Sequence, residues 1–85
     1  MYRIVYRKEA ARVLLKMPRD TAQLLREKLE RLAHDPMTPN PNVKPLKGES
    51  AFRLRVGDWR VIYELRHNEF VVLVVRIGSR GGIYW

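Results

Sequence analysis

The residues best equipped for chemistry sit close together. Across residues 51–63, AFRLRVGDWRVIY, Arg53 and Arg55 alternate with Phe52, Leu54 and Val56, and beyond Gly57-Asp58 Arg60 falls between Trp59 and Val61. A guanidinium is a planar fork of N–H donors matched to phosphate oxygens, and it keeps its proton in proteins. Arginines at this spacing therefore suit holding a polyanion and stabilising negative charge on it, and do not suit proton abstraction. Lys44 and Lys47 stand just upstream and bring further positive charge beside the same stretch. The competing reading is a basic strand face whose only partner is water.

Period-two alternation predicts two half-buried strands, and Gly57-Asp58 between them reads as a two-residue hairpin turn. With that turn Val56 lies opposite Trp59, Arg55 opposite Arg60 and Leu54 opposite Val61, so the apolar set, Trp59 included, makes one face and the arginines the other. Like charges directly opposite on a ladder cost on the order of 0.2–1 kcal/mol per pair, by analogy with the favourable pairs. Folding alone gives no reason for that cost. A bound polyanion would turn it into binding energy.

The rest of the chain must position this hairpin. Tyr2, Ile4 and Tyr6 alternate with Arg3 and Val5 and predict a short opening strand. Ala10, Val13, Leu14 and Met17 recur at helical spacing until Pro18 stops the run; Asp20 or Thr21 then stands where it can cap a second helix, with Ala22, Leu25, Leu29 and Leu32 as its stripe to about His34. Pro36, Pro39, Pro41 and Pro45 exclude a helix or a central strand and predict a connecting loop of about a dozen residues. Arg66 to Glu69 reads as a turn, and FVVLVVRI, residues 70–77, as a central strand apolar on both faces. The expected fold is a single α+β domain over residues 1–85. Its N-terminal strand and helical hairpin are followed by an antiparallel three-stranded meander, in a twisted sheet with both helices packed on one face.

The composition narrows the functions. An 85-residue chain without cysteine has no disulfide framework or thiolate metal site, and His34 and His67 have no ligand-spaced partner, so neither metal nor cofactor is expected. No apolar run reaches the length of a membrane span, which suggests a soluble, cytoplasmic protein without a membrane role. Lys and Arg number 17 against 9 Asp and Glu, a net charge of +8 that points to nucleic acid or an acidic protein as partner.

Three segments in order, Leu46-Lys47-Gly48, the hairpin from Phe52 to Tyr63, and the ending Gly78-x-Arg80-x-x-x-Tyr84, resemble the RelE/ParE superfamily of small bacterial and archaeal toxins. The resemblance covers almost the whole chain. It implies a compact α+β domain and, on the RelE branch, a metal-independent endoribonuclease that enters the ribosomal A site, cuts messenger RNA and so inhibits translation. It also implies a cognate antitoxin and a toxin–antitoxin hetero-oligomer. By motif, Arg53, Arg55, Arg60, Arg80 and Tyr84 fall on catalytic positions of that family, and Lys47, with Lys44 beside it, on a surface contacting RNA. Arg53 and Arg55 replace two lysines of the best-known pattern, which removes the family's source of a general base; Glu64 and, more weakly, His67 are the substitutes the sequence offers. Tyr84 would give a splayed base a flat ring to stack on. Two other functions remain open on the same fold: a ParE-like inhibitor of DNA gyrase, and a catalytically degenerate member that only binds RNA or a protein partner.

Overall fold

The hairpin strands form in the register that the two-residue turn dictates. In the computed structural model, which describes residues 1–46 and 51–79, β3 (Ala51–Val56) and β4 (Trp59–Arg66) pair antiparallel with Val56 opposite Trp59 and Arg55 opposite Arg60. Gly57 adopts a positive φ of 59°, the conformation glycine supplies cheaply at the first position of such a turn. The remaining strands are β1 (Arg3–Tyr6), β2 (Val43–Pro45) and β5 (Val71–Ser79). The sheet order is β1-β5-β4-β3-β2, with β1 parallel to β5 and every other pair antiparallel. The meander of β3, β4 and β5 is as expected.

Two features of the sheet were not legible. β1 closes against β5, about seventy residues away, and nothing local in the sequence specifies that pairing. The proline-rich segment also contributes a strand, β2, at the sheet edge, where a missing N–H is tolerated because it faces away from the ladder. The Val43 N–H turns back to the Asn40 carbonyl at 3.1 Å, and Pro45 has no N–H. Bonds to β3 run from the Arg55 N–H to the Asn42 carbonyl (2.8 Å) and from the Leu46 N–H to the Ala51 carbonyl (2.9 Å).

Helix α1 (Lys8–Lys16) and helix α2 (Arg19–His34) cover one face of the sheet. Their apolar stripes deliver Ala10, Leu14, Met17, Ala22, Leu25, Leu29 and Leu32 to a core shared with Leu54, Val56, Val61, Tyr63, Leu65, Val72, Val74 and Ile77. Each fully buried aliphatic side chain contributes about 1.5–3 kcal/mol relative to exposure. Pro18 is the N-cap of α2 and makes no side-chain cap bond, so neither Asp20 nor Thr21 caps it; Asp20 lies inside the first turn, where its charge still complements the helix dipole. Trp59 is half-buried at the rim of the core.

The last strand begins one residue later than its apolar run. Phe70 adopts a left-handed φ of 55° after a 3₁₀ turn over His67–Glu69, and its ring stays 61% exposed, edge-on to Tyr2. Among the described residues no helix is long and apolar enough to cross a membrane.

Candidate nucleic-acid interface

The face of the sheet turned away from the helices is where the cations collect. Register alone places them: Lys44 lies opposite Arg53, Arg53 opposite Ile62, and Ile62 opposite Arg76, while one step along Arg55 lies opposite Arg60. Directly opposed residues point to the same side. Ile62 is only 1% exposed although it lies apart from the helix-side core, and long arginine stems beside an isoleucine can bury it while their charged heads stay in water.

The closeness of Arg55 and Arg60 follows from the main chain. Arg55 gives its N–H to β2, so its pair with Arg60 on the other side is of the non-hydrogen-bonded kind, with Cα atoms about 4.5 Å apart, the nearest approach an antiparallel ladder allows. Arg60 is further restrained because its Nη1 donates to the carbonyls of Gly57 (3.3 Å) and Trp59 (3.2 Å), which folds its head back over the turn.

These side chains line one cleft of about 390 Å³, bounded by Pro41, Asn42, Lys44, Arg53, Arg55 and Arg60. Among the described residues four cations line it and no carboxylate does. An ion pair, Arg66 Nη2 to Glu64 Oε1 at 2.7 Å, lies further along β4. That pairing takes Glu64 away from the cleft, and the 2.6 Å contact of His67 Nδ1 with the Tyr2 hydroxyl holds His67 at the opposite end of the sheet. Neither substitute base stands where a phosphate in the cleft would be.

Beneath the site the sheet is packed on its core side. Tyr63, on the core side of β4, stacks on Phe52 across the ladder with ring centroids 5.4 Å apart, and burial pushes its hydroxyl up to about 12. A second cleft of about 420 Å³ lies at the sheet edge among Leu32, Met37, Val43, Phe52 and Tyr63, but among the described residues its charged lining is one Arg31 and one Asp35, which gives no comparable field for an anion.

The structure thus brings together four of the residues singled out in the sequence, Lys44, Arg53, Arg55 and Arg60. Lys47, Arg80 and Tyr84 lie outside the described residues. Sequence reasoning missed Asn42 and Pro41. Their signal was the proline-rich segment itself, because pairing it with β3 carries Asn42 to the position opposite Arg55.

A family model described as the ParE toxin of type II toxin-antitoxin system, parDE, matches residues 4–84. The chain belongs to the RelE/ParE toxin superfamily. Among solved structures, this type II toxin is similar to the archaeal RelE of a RelE-RelB complex from Pyrococcus horikoshii OT3, at 26% identity and a TM-score of 0.82, covering 94% of this chain and 96% of that one. The isolated Escherichia coli RelE toxin superposes with a TM-score of 0.84 over 98% of this chain and 88% of that one, a likeness of fold at 16% identity. A curated Escherichia coli protein, provisionally named a RelE-like toxin, is 23% identical over 79 residues, 93% of this chain and 83% of the relative. Within the superfamily the likeness runs to the RelE-like branch.

Proposed function

We propose that this toxin is a ribosome-dependent endoribonuclease that binds messenger RNA in the A site through the Lys44, Arg53, Arg55 and Arg60 cleft and cleaves it by attack of the substrate's own 2′-OH. The observation that carries the reading is the cleft: among the described residues, four cations against no carboxylate, two of them at the closest spacing of the ladder. In the reaction the 2′-oxygen bonds to phosphorus, the bond from phosphorus to the 5′-oxygen breaks, the 2′-OH loses its proton and the departing 5′-oxygen gains one. The products are a 2′,3′-cyclic phosphate and a 5′-OH. The arginines hold the strand and stabilise the doubly charged phosphorane, a preorganised field that requires no rearrangement at the moment of reaction. No lining arginine can accept the 2′-OH proton, which leaves Lys44, solvent or the RNA and ribosome around the site to take it and to return one to the departing 5′-oxygen.

Arg80 and Tyr84 complete the proposal, as a further cation at the phosphate and as the ring on which the neighbouring base stacks. A cognate antitoxin would neutralise the protein in a hetero-oligomer by bringing carboxylates to the same cleft. The cytoplasm, where ribosomes and messenger meet, is its place of action.

The test is a primer-extension map of a messenger incubated with the protein, with and without programmed ribosomes, alongside Arg60→Ala, Arg80→Ala and Tyr84→Ala. Cuts at A-site positions that require ribosomes and disappear in the variants support the proposal. A messenger left whole under all conditions refutes it. The second reading, inhibition of DNA gyrase by protein contact, is favoured by the ParE description of the matching family, and a supercoiling assay with purified gyrase tests it.

A further inference from the structure

The row of cations continues beyond the Lys44, Arg53, Arg55 and Arg60 cleft. Across the sheet Lys44 lies opposite Arg53, Arg53 opposite Ile62 and Ile62 opposite Arg76, which carries the row to β5 on the face turned away from the helices. Strict alternation along β5 would not have done this. Val72 and Val74 belong to the core, so Arg76 would follow them inward and Ile77 would point out. A shift of register beside Ile62 and Tyr63 prevents it: Tyr63 pairs with Val74 and Ile62 with Arg76, which leaves Val75 as an extra residue in β5 and exchanges the two sides of the strand beyond it. Ile77 is accordingly buried and Arg76 exposed.

Two more cations meet Arg76 from the other margin of the sheet. Arg7 follows Tyr6, which packs against the core; its backbone is extended, at φ −66° and ψ 156°, and its N–H donates to the Val74 carbonyl at 2.9 Å. Arg7 therefore prolongs β1 by one residue on the open face. Arg7, Lys8 and Arg76, with Glu9 and Val75, line a further cleft of about 380 Å³. Among the described residues its lining is three cations to one carboxylate, and the side chains of Arg7 and Lys8 make no hydrogen bond or ion pair with another described residue. The row that joins this cleft to the first contains no carboxylate, and Glu64, two residues along β4 from Ile62, is held by Arg66 at 2.7 Å. From β2 to Arg7 beside β5 the row crosses four strand-to-strand gaps, about 19 Å at the usual spacing. One phosphate cannot reach from end to end, whereas a chain of several nucleotides can follow a basic groove of that length.

We infer that the Arg7, Lys8 and Arg76 cleft is a second backbone site for the same single-stranded RNA, so that the RNA crosses the sheet at right angles to its strands, from Lys44 to Arg7. The inference rests on the RNA-binding reading above and extends its footprint from one phosphate to several. The contacts are to phosphate, so they position the RNA and carry no base preference. An acidic protein segment would answer to the same charges; continuity with the first cleft assigns the site to RNA.

The experiment compares two lengths of labelled oligouridylate without ribosomes: a trinucleotide, too short to reach both clefts, and a chain of about 12 nucleotides, within the usual range for single-strand grooves. Fluorescence anisotropy follows their binding to wild type, Arg7→Gln/Lys8→Gln, Arg76→Gln and Arg53→Gln/Arg60→Gln over a range of salt, and circular dichroism confirms that each is folded. In Arg7→Gln/Lys8→Gln the longer chain should bind more weakly, with a salt slope shallower by about 1.4, two phosphates at about 0.7 each, while the trinucleotide binds as to wild type. Arg76→Gln should act in the same direction with about half the change in slope, and Arg53→Gln/Arg60→Gln should weaken both lengths. A longer chain that binds Arg7→Gln/Lys8→Gln with wild-type affinity and slope, or a loss equal for both lengths, would overturn the inference and leave the first cleft's role intact. Loss of binding to polyglutamate in that variant, with RNA binding unchanged, would give the site to an acidic protein partner instead. A wild type that binds neither oligomer would overturn the RNA-binding reading and the inference together.

Discussion

Replacing Arg55 by glutamate should make the protein more stable and a worse ligand for RNA at the same time. Arg55 faces Arg60 across a non-hydrogen-bonded pair, so the two cations repel at the shortest spacing the sheet offers. Turning a repulsive pair into an attractive one changes the ladder by about 0.4–2 kcal/mol, twice the range for a single cross-strand pair. Arg55 is exposed and Arg60 half-buried, so solvent screening places the expected gain near the middle, about 1 kcal/mol. In a domain of this size that raises the melting midpoint by about 4–8 °C. The assay is urea unfolding of wild type, Arg55→Gln and Arg55→Glu, followed by circular dichroism at low salt and again at 1 M salt. Arg55→Gln should fall between the other two. The differences should shrink at high salt, where the screening length drops to about 3 Å. RNA binding should weaken in the same order, with a salt slope about 0.7 shallower for each phosphate that is no longer neutralised. A glutamate variant no more stable than wild type at low salt would refute the reasoning, because it would mean that the guanidiniums do not face each other.

Four further outcomes follow from the geometry. Gly57→Ala should cost about 1 kcal/mol, all of it conformational since an added Cβ meets nothing within 4 Å; a loss of several kcal/mol in urea unfolding would contradict the open turn. Trp59→Ala, at the rim of the core, should cost about 2–3 kcal/mol, below the 3–5 typical of a fully buried large aromatic, and the unfolding midpoint measures it. Tyr63 is neutral in the fold up to about pH 12 but ionises near pH 10 when unfolded, so its contribution is intact below pH 10 and is lost as pH rises from there towards 12. Unfolding at pH 8 and pH 11.5 should show that loss in wild type and a smaller one in Tyr63→Phe. Lys44→Ala should weaken binding to all RNA sequences and Lys44→Arg should restore it; equal impairment in cleavage would show that Lys44 exchanges a proton instead of supplying charge.

The hairpin was readable from sequence down to its register because its determinants are local: a period of two on both sides and a glycine where the turn needs positive φ. The helical stripes were readable for the same reason, as Leu25, Leu29 and Leu32 show by being buried where the spacing put them. The start of α2 was misread because Asp20 and Thr21 have the chemistry of a cap but stand beyond Pro18, whose fixed φ already suits a helix start. Long-range pairing was not readable. The place of β1 beside β5 depends on a contact between segments that both helices and the hairpin separate in the chain. The same limit hid Asn42, since its nearness to Arg55 exists only once β2 has joined the edge. Of the site, the cations of the hairpin and Lys44 were found from residue type and alternation, whereas Arg80 and Tyr84 rest on the family pattern and fall outside the described residues.

The missing donors along β2 bear on how the molecule behaves in a crowd. A sheet edge recruits another strand by offering alternating N–H and C=O groups, and β2 offers its neighbours only carbonyls, because Val43 has spent its N–H on Asn40 and Pro45 never had one. A second copy approaching there would find half of its hydrogen bonds unanswered. The edge beside the cationic cleft therefore resists templating fibrils or sheet-to-sheet dimers. At high concentration the cleft should stay open to solvent, and any strand-wise self-association should begin at the opposite margin of the sheet, along β1.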